Sequence, residues 1–258
     1  MKRIVVKVGS STITHKSGLL NLRKIDELAR VLSDLKNAGH DVILVSSGAI
    51  AAGRGKMHMD KKPSRLEEKQ ALACVGQCEL MYIYDKFFSQ YSQSVGQLLL
   101  TKRVIVDDIL RHNASNTLNT LLEYGVIPII NENDSVAIDE IVYGDNDTLS
   151  AITAKLIHAD LLVLLSDIEG LYDKNPNEYK DAIKIDVVKE ITDEIVSMAS
   201  DTSSNVGTGG MITKLQAAKI ACESGCNMVI ANGENPTILY DIVDGKNCGT
   251  LFCAKDVK

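Results

Sequence analysis

The 258-residue sequence predicts an α/β fold, a three-layer αβα sandwich built on a mainly parallel central sheet. Short apolar runs recur along the chain at 3–8 (RIVVKV), 41–46 (DVILVS), 126–130 (VIPII), 161–166 (LLVLLS) and 228–232 (MVIAN), and these read as strands. Segments with helical periodicity lie between them. Strands that alternate with helices imply right-handed crossovers and a parallel sheet covered on both faces.

In chain order, the first strand runs straight into a Gly-Ser-Ser turn at 9–11. Residues 22–38 carry Leu22, Ile25, Leu28, Ala29, Leu32 and Leu35, a helical stripe that Gly39 closes before the second strand. Pro63-Ser64 followed by Glu67 has the pattern of a capping box opening a helix. A further helix ends near Gly125, just before VIPII, and a helix across 147–159 precedes LLVLLS. Residues 172–210 are richer in Asp, Asn, Ser and Gly and are expected to carry loops. A last helix is expected over 212–224 and a final strand over 228–232. No fixed-period repeat or low-complexity tract interrupts the series, so 1–258 reads as one unit.

Composition narrows the function. The chain is 45% hydrophobic and 24% charged with a net charge of -6, ordinary for a globular domain and without a basic footprint for nucleic acid or anionic membrane. No apolar run reaches membrane-spanning length, and MKRIVVKVGSS lacks the apolar core of a signal peptide, so a cytoplasmic location is expected. The six cysteines, Cys74, Cys78, Cys222, Cys226, Cys248 and Cys253, form no C-x-x-C pair and are expected to be buried, reduced thiols. His15, His40, His58, His112 and His158 are isolated and read as surface or packing residues. The basic run from Lys56 to Arg65 reads as an exposed loop or an oligomer contact, and Lys102-Arg103 as a solvated face.

Ligands of such sheets bind beyond the carboxyl ends of the strands, so the strand-to-loop junctions are the places to search. Lys7, Gly9, Ser10 and Ser11 combine a point charge with a turn that lets backbone approach a phosphate, although a solvated lysine before an ordinary turn has the same pattern. Ser46-Ser47-Gly48-Ala49 follows the second strand and opens a small-residue segment, either an anion-binding helix start or a plain cap. Asn131-Glu132-Asn133-Asp134 directly follows VIPII, where a dense set of amides and acids can hold an ammonium group. Gly144-Asp145-Asn146-Asp147 precedes a helix beginning near Thr148, and its two acids exceed what capping requires. Gly207-Thr208-Gly209-Gly210-Met211-Ile212-Thr213-Lys214 leads a glycine-rich turn into a helix with a lysine in its first turn. A cation there opposes the helix dipole, and a bound anion would resolve the conflict. Two lysines, Lys7 and Lys214, brought to one sheet edge would stabilise a phosphoryl group in transfer. The chain contains no Walker sequence and no protein-kinase catalytic set.

The ordered set KVGSS, VSSGAIAAG, INENDSVA, GDNDTLSA, LLSDIEGLY and GTGGMITKLQAA resembles the amino acid kinase superfamily over about residues 3–252. INEND and GDND narrow the resemblance to its glutamate 5-kinase family. The resemblance implies transfer of the terminal phosphoryl group of ATP to the γ-carboxylate of L-glutamate. It implies that Lys7 and Lys214 stabilise that group, that Asp147 orients both, and that Ser47, Asp134 and Asn146 hold glutamate. It places Gly9 and Ser10 under the phosphates, and Ser166, Asp167, Thr208, Gly209, Gly210, Met211 and Lys214 against the nucleotide. The N-terminal part would then be mainly the acceptor side and the C-terminal part mainly the nucleotide side. Mg²⁺ is expected to arrive with ATP, since the sequence shows no metal cage of its own. The resemblance further implies a homo-oligomer, dimer or tetramer, and makes L-proline a candidate feedback inhibitor and a glutamyl phosphate reductase a candidate partner for the product. Many bacterial members carry a further C-terminal PUA module, and this chain is expected to lack it. Two readings compete: a sister kinase acting on acetylglutamate, aspartate, carbamate or a nucleoside monophosphate, and a silent sensor that binds nucleotide or proline. A dehydrogenase reading lacks G-x-G-x-x-G after the first strand.

Overall fold

The protein is described by a computed structural model covering residues 1–137, 146–176, 178–201 and 210–255. Its main sheet has eight strands: β1 (Arg3–Val8), β2 (Asp41–Ser46), β3 (Val95–Leu100), β4 (Ile127–Glu132), β5 (Leu161–Ser166), β8 (Val187–Val188), β9 (Asn227–Asn232) and β10 (Thr250–Phe252). The spatial order is β3-β4-β2-β1-β5-β9-β10-β8, and every pairing is parallel except β10 with β9. A separate two-stranded ribbon joins β6 (Leu171–Tyr172) to β7 (Lys184–Ile185). The helices are α1 (Ser10–Ile13), α2 (Leu22–Asn37), α3 (Ala49–Lys56), α4 (Leu66–Gln90), α5 (Arg103–Val106), α6 (Asp108–Glu123), α7 (Asn146–Leu156), α8 (Asp193–Asp201), α9 (Met211–Glu223) and α10 (Ile238–Val243). The predicted sandwich is therefore present.

Strand parity divides the core. Val5, Ile43, Val45, Ile130, Leu162 and Leu164 face one side and pack under α6, α7 and α9. Ile4, Val6, Val8, Val42, Leu44, Ile129, Val163 and Leu165 face the other, under α2, α4 and α10. Successive side chains of a strand point to opposite faces, so covering both faces demands unbroken apolar runs. Parity also assigns the polar residues at the strand ends. Lys7 shares the side of Val5, beneath α7 and α9. Ser46 and Asn131 share the side of Leu44 and Ile129, beneath α4.

Several boundaries differ from the sequence reading. Strand β4 continues through Asn131 and Glu132, which the reading placed after the strand. Its six residues are all buried, so the ladder to β3 extends through Leu99↔Asn131 and Leu100↔Glu132. The cap of α4 is one residue later than expected: Glu68, not Glu67, accepts from the Ser64 and Arg65 amides at 3.2 and 3.3 Å. Helix α9 is not the last helix, nor β9 the last strand, because α10 and β10 follow them. Cys222 and Cys226 are buried as expected, and burial pushes their thiols up to about 11 and about 12. Cys74 and Cys78 are exposed, because their spacing puts both on the outer face of α4.

Helices α3 and α4 cross backbone against backbone. A Cβ on Gly53 would stand 2.0 Å from the Leu72 carbonyl oxygen, and one on Gly76 would stand 1.7 Å from that of Ala49. Gly76→Ala must separate the helices, which outweighs the roughly 1 kcal/mol that Ala gains over Gly inside a helix. A net destabilisation of about 2 kcal/mol is expected, lowering Tm by about 5 °C, as read by thermal unfolding. An unchanged Tm would show that the crossing is looser than described.

Candidate active site

The parallel strands end along one edge. Register aligns Ser46 with Val8 and Val8 with Leu165, so Ser47, Gly9 and Ser166 follow as a row just beyond them, with Asn232 opposite Ser166. Strand β1 lies at the topological switch: the chain leaves it for β2 on one side, and β5 joins it on the other. Helices α3, α7 and α9 each begin at this edge, directing the positive ends of their dipoles toward it. Gly48 caps α3 with φ 103°, a left-handed conformation that glycine adopts without strain.

Three charged side chains from three elements meet here. The Lys7 ammonium lies 2.7 Å from Asp147 Oδ1, and the Lys214 ammonium lies 3.1 Å from Asp147 Oδ2. Thr213 adds a hydroxyl donated to the same Oδ2 at 3.1 Å. Asp147 and Lys214 are buried and Lys7 is nearly so. Burial alone pushes the Asp147 carboxyl up. The charges and hydrogen bonds of Lys7 and Lys214 more than reverse this and hold it down at about 2. The trio is thus an ionised carboxylate shared by two ammonium groups, with one net positive charge. Asp147 sits in the first turn of α7, where an acid suits the dipole. Lys214 sits in the first turn of α9, where a cation does not, and Asp147, which the resemblance gave as orienting both lysines, supplies a counter-charge beside the anion that the sequence reading also sought. Lys7 also lies beside Gly9: a Cβ there would stand 3.8 Å from the Lys7 Nζ.

A second cluster adjoins the first through α7. Asn146 donates from Nδ2 to Ser47 Oγ at 2.8 Å and to Asn131 Oδ1 at 2.9 Å. Asn131 donates in turn to Gln77 Oε1 at 2.9 Å. Ser46 and Tyr84 share a buried hydrogen bond of 2.8 Å, which ties the end of β2 to α4. Asp134 is buried, its Oδ1 has no hydrogen-bond partner among the described residues, and burial pushes its carboxyl up to about 6.

The structure thus brings together Lys7, Asp147 and Lys214, and separately Ser47 and Asn146. Ser166 and Asp167 lie at the end of β5, joined by a 3.1 Å hydrogen bond from the Ser166 hydroxyl. Gly210 caps α9 and Met211 opens it. Ser10 opens α1 next to Gly9. Thr208 and Gly209 lie outside the described residues, as do Gly144, Asp145 and Gly207 of the same motifs. Gln77 and Tyr84 were not singled out in the sequence. Both sit inside a 25-residue helix, Tyr84 buried and Gln77 partly so, where nothing in the local pattern separates them from their inward-facing neighbours.

Among the described residues no group of three or more His, Cys, Asp and Glu is placed to hold a metal ion. No described helix is long and apolar enough to cross a membrane.

Comparison with known proteins agrees with this geometry. Residues 2–232 match the amino acid kinase family. The sequence is 54% identical to glutamate 5-kinase of Clostridium perfringens over 98% of this chain and 96% of that protein. It is 52% identical to glutamate 5-kinase of Listeria innocua over 98% of this chain and 94% of that one. Carbamate kinase from Giardia lamblia bound to AMP-PNP superposes with a TM-score of 0.68 at 16% identity, covering 98% and 99% of the two chains; a likeness that distant concerns the fold only. With the parallel sheet, the lysine pair at its carboxyl edge and a match over most of its length, the chain belongs to the amino acid kinase family.

Proposed function

We propose that the chain transfers the γ-phosphoryl group of ATP to the γ-carboxylate of L-glutamate, giving γ-glutamyl phosphate, the first step of proline synthesis. The observation that carries the reading is the trio Lys7–Asp147–Lys214 at the sheet edge, next to the hydrogen-bonded pair Ser47 and Asn146. The identities of 52–54% to glutamate 5-kinases favour glutamate over the acceptors of sister kinases. The retained lysines and Asp147 argue against a silent sensor.

In this reading a carboxylate oxygen of glutamate forms a bond to the γ-phosphorus. The bond from that phosphorus to the β,γ-bridging oxygen breaks, and ADP leaves with the electron pair. The acceptor is already ionised at neutral pH, so no general base is required. Lys7 and Lys214 stabilise the charge on the group in flight, and Asp147 holds them apart and aimed. Gly9 and Ser10 serve the phosphates; Ser166, Asp167, Gly210 and Met211 contact the nucleotide, a role the same motif gives to Thr208 and Gly209. The nucleotide enters as MgATP, its metal carried by the triphosphate. Ser47, Asn146 and Asp134 bind glutamate, with the two acceptor-rich side chains toward its ammonium. The N-terminal half is then mainly the acceptor side of one catalytic unit and the C-terminal half mainly the nucleotide side. The direct test is hydroxamate trapping: enzyme, MgATP, L-glutamate and hydroxylamine should yield γ-glutamyl hydroxamate. ADP release with another acid, and none with glutamate, would replace the reading.

The Asp134 carboxyl gives a pH signature. Its pKa of about 6 means that it takes up a proton as pH falls through 6, and the protonated form no longer attracts an ammonium. KM for L-glutamate should rise by up to about tenfold per pH unit below about 6, while KM for ATP stays level. A flat glutamate profile between pH 5 and 7 would separate Asp134 from the ammonium. The intact INEND segment also leads us to propose inhibition by L-proline in the acceptor pocket; full turnover in millimolar proline would remove that part of the reading. A homo-oligomer and a reductase partner for the product belong to the same proposal, tested by solution mass and by co-purification.

A further inference from the structure

The carboxylate of an aspartate turns about its bond to the side chain with little resistance, because that torsion has broad wells. An ammonium group does not stop it. A lysine head is a compact charge with rotatable donors, and it serves either oxygen of a carboxylate equally well. Lys7 and Lys214 therefore supply the charge around Asp147 without fixing the plane of its carboxylate. Thr213 makes a contact of another kind. Its hydroxyl donates to Asp147 Oδ2 at 3.1 Å, the oxygen that Lys214 also reaches.

The Thr213 oxygen is itself held by local structure. Thr213 lies in the first turn of α9, three residues after the capping Gly210, and its Oγ1 stands 2.8 Å from the Gly210 carbonyl oxygen. A helical threonine reaches the carbonyl three residues back in one of its two common rotamers. The hydroxyl has a single proton to give and two acceptors within reach. The Gly210 carbonyl also accepts from the Thr213 amide at 3.2 Å, so it does not depend on the hydroxyl. Asp147 is ionised between two lysines, and a hydrogen bond to a charged acceptor is the stronger one. The proton therefore goes to Asp147, and the carboxylate is tied to the backbone at the start of α9. In phosphoryl transfer both ammonium groups must give part of their hydrogen bonding to the group in flight. A carboxylate held by lysines alone would follow whichever of them moved. One held by a fixed hydroxyl stays in place.

We propose that Thr213 is a positioning residue, whose hydroxyl holds the Asp147 carboxylate in the orientation in which each oxygen faces one lysine. This rests on the phosphoryl-transfer reading above and adds to it a residue that acts through Asp147 rather than on the substrates.

Two substitutions separate the hydroxyl from the shape of the side chain. Thr213→Val keeps the branched shape and loses the hydroxyl; Thr213→Ser keeps the hydroxyl and loses the methyl. Each is made in the parent and in Asp147→Asn, which removes the charge that the aiming serves. The measurement is kcat and KM for both substrates by ADP release, with Tm recorded on each variant. In the parent, Thr213→Val should lower kcat about tenfold, as expected for losing a hydrogen bond to a charged group, with both KM values within about twofold. Thr213→Ser should stay within about threefold of the parent. In Asp147→Asn, Thr213→Val should change kcat by less than about twofold, because residues that act as one unit are not additive. A hydroxyl that serves only the first turn of α9 would lower Tm and cost the same factor in both backgrounds. That result, an unchanged kcat in Thr213→Val, or equal losses in Thr213→Val and Thr213→Ser would overturn the role while leaving the proposed reaction intact. Should Asp147→Asn not fold, Thr213→Val against Thr213→Ser, with the separation of kcat from KM, carries the test. A parent enzyme that releases no ADP with glutamate or with any other acid would overturn both.

Discussion

Lys214→Ala should lower kcat by about 10² to 10³-fold while leaving the protein folded. Lys214 is buried in the first turn of α9, with its ammonium 3.1 Å from Asp147. Alanine is the best helix former, so the substitution does not cost α9 its propensity. It also removes a cation from the positive end of a dipole. In the proposed reaction it removes one of two fixed charges facing the phosphoryl group, and such a donor is worth most where water is excluded. Arginine should not restore turnover, because a planar guanidinium does not fit the place of a compact ammonium in a buried cluster. The loss should fall mainly on kcat, since the interaction strengthens as charge develops on the group in transfer. Steady-state rates on Lys214→Ala and Lys214→Arg, with circular dichroism as a control for fold, check this. Turnover within a few-fold of the parent would remove Lys214 from the chemistry.

Asp147→Asn should have an effect of similar size with a different signature. The substitution keeps shape and a hydrogen-bond acceptor but leaves Lys7 and Lys214 without the charge that now holds them. Breaking a buried ion pair on one side costs about 3–5 kcal/mol, because the remaining charge stays desolvated. In a chain of this length that lowers Tm by about 10 °C. Repelled ammonium groups no longer converge, so kcat should fall by about 10²-fold or more. Nucleotide affinity should not fall with it: a triphosphate supplies the anion that the variant lacks. MgATP should therefore raise the Tm of Asp147→Asn by more than it raises that of the parent. Thermal unfolding with and without MgATP, together with kcat, checks both parts. Normal stability with normal turnover would show that the lysines need no carboxylate to aim them.

How much of this was legible in the sequence depends on how local the cause is. The central strands are readable because a strand buried on both faces needs an apolar run, and Arg3–Val8 and Leu161–Ser166 have the limits that the runs have. The position of Lys7 follows from the same local rule: as the fifth residue of β1 it must share a face with Val5. Asp147 and Lys214 stood out because each exceeds or opposes what its helix end requires. The local pattern at Lys214 could suggest only a ligand to resolve the conflict; its carboxylate partner sits 67 residues away, and it was the family resemblance that named Asp147.

Other features depend on tertiary contacts. Strand β3 sits at the edge of the sheet, is only partly buried and carries Gly96 and Gln97, so its pattern is weak. Asn131 and Glu132 belong to β4 only because β3 pairs beside them. Gln77 and Tyr84 reach the site only because α3 and α4 cross where Gly53 and Gly76 allow backbone contact. That crossing is a property of two segments together and leaves no periodic trace in either.

Two lysines from opposite ends of the chain acting on one phosphoryl group is the centre of this account. A crystal structure with ADP, aluminium fluoride, Mg²⁺ and L-glutamate tests it most directly. Both ammonium groups, Lys7 Nζ and Lys214 Nζ, should lie within hydrogen-bond distance of the fluoride ligands standing in for the phosphoryl oxygens, with Asp147 still between them. Fluoride density contacted by only one lysine, or lying away from the Lys7–Asp147–Lys214 trio, would contradict it.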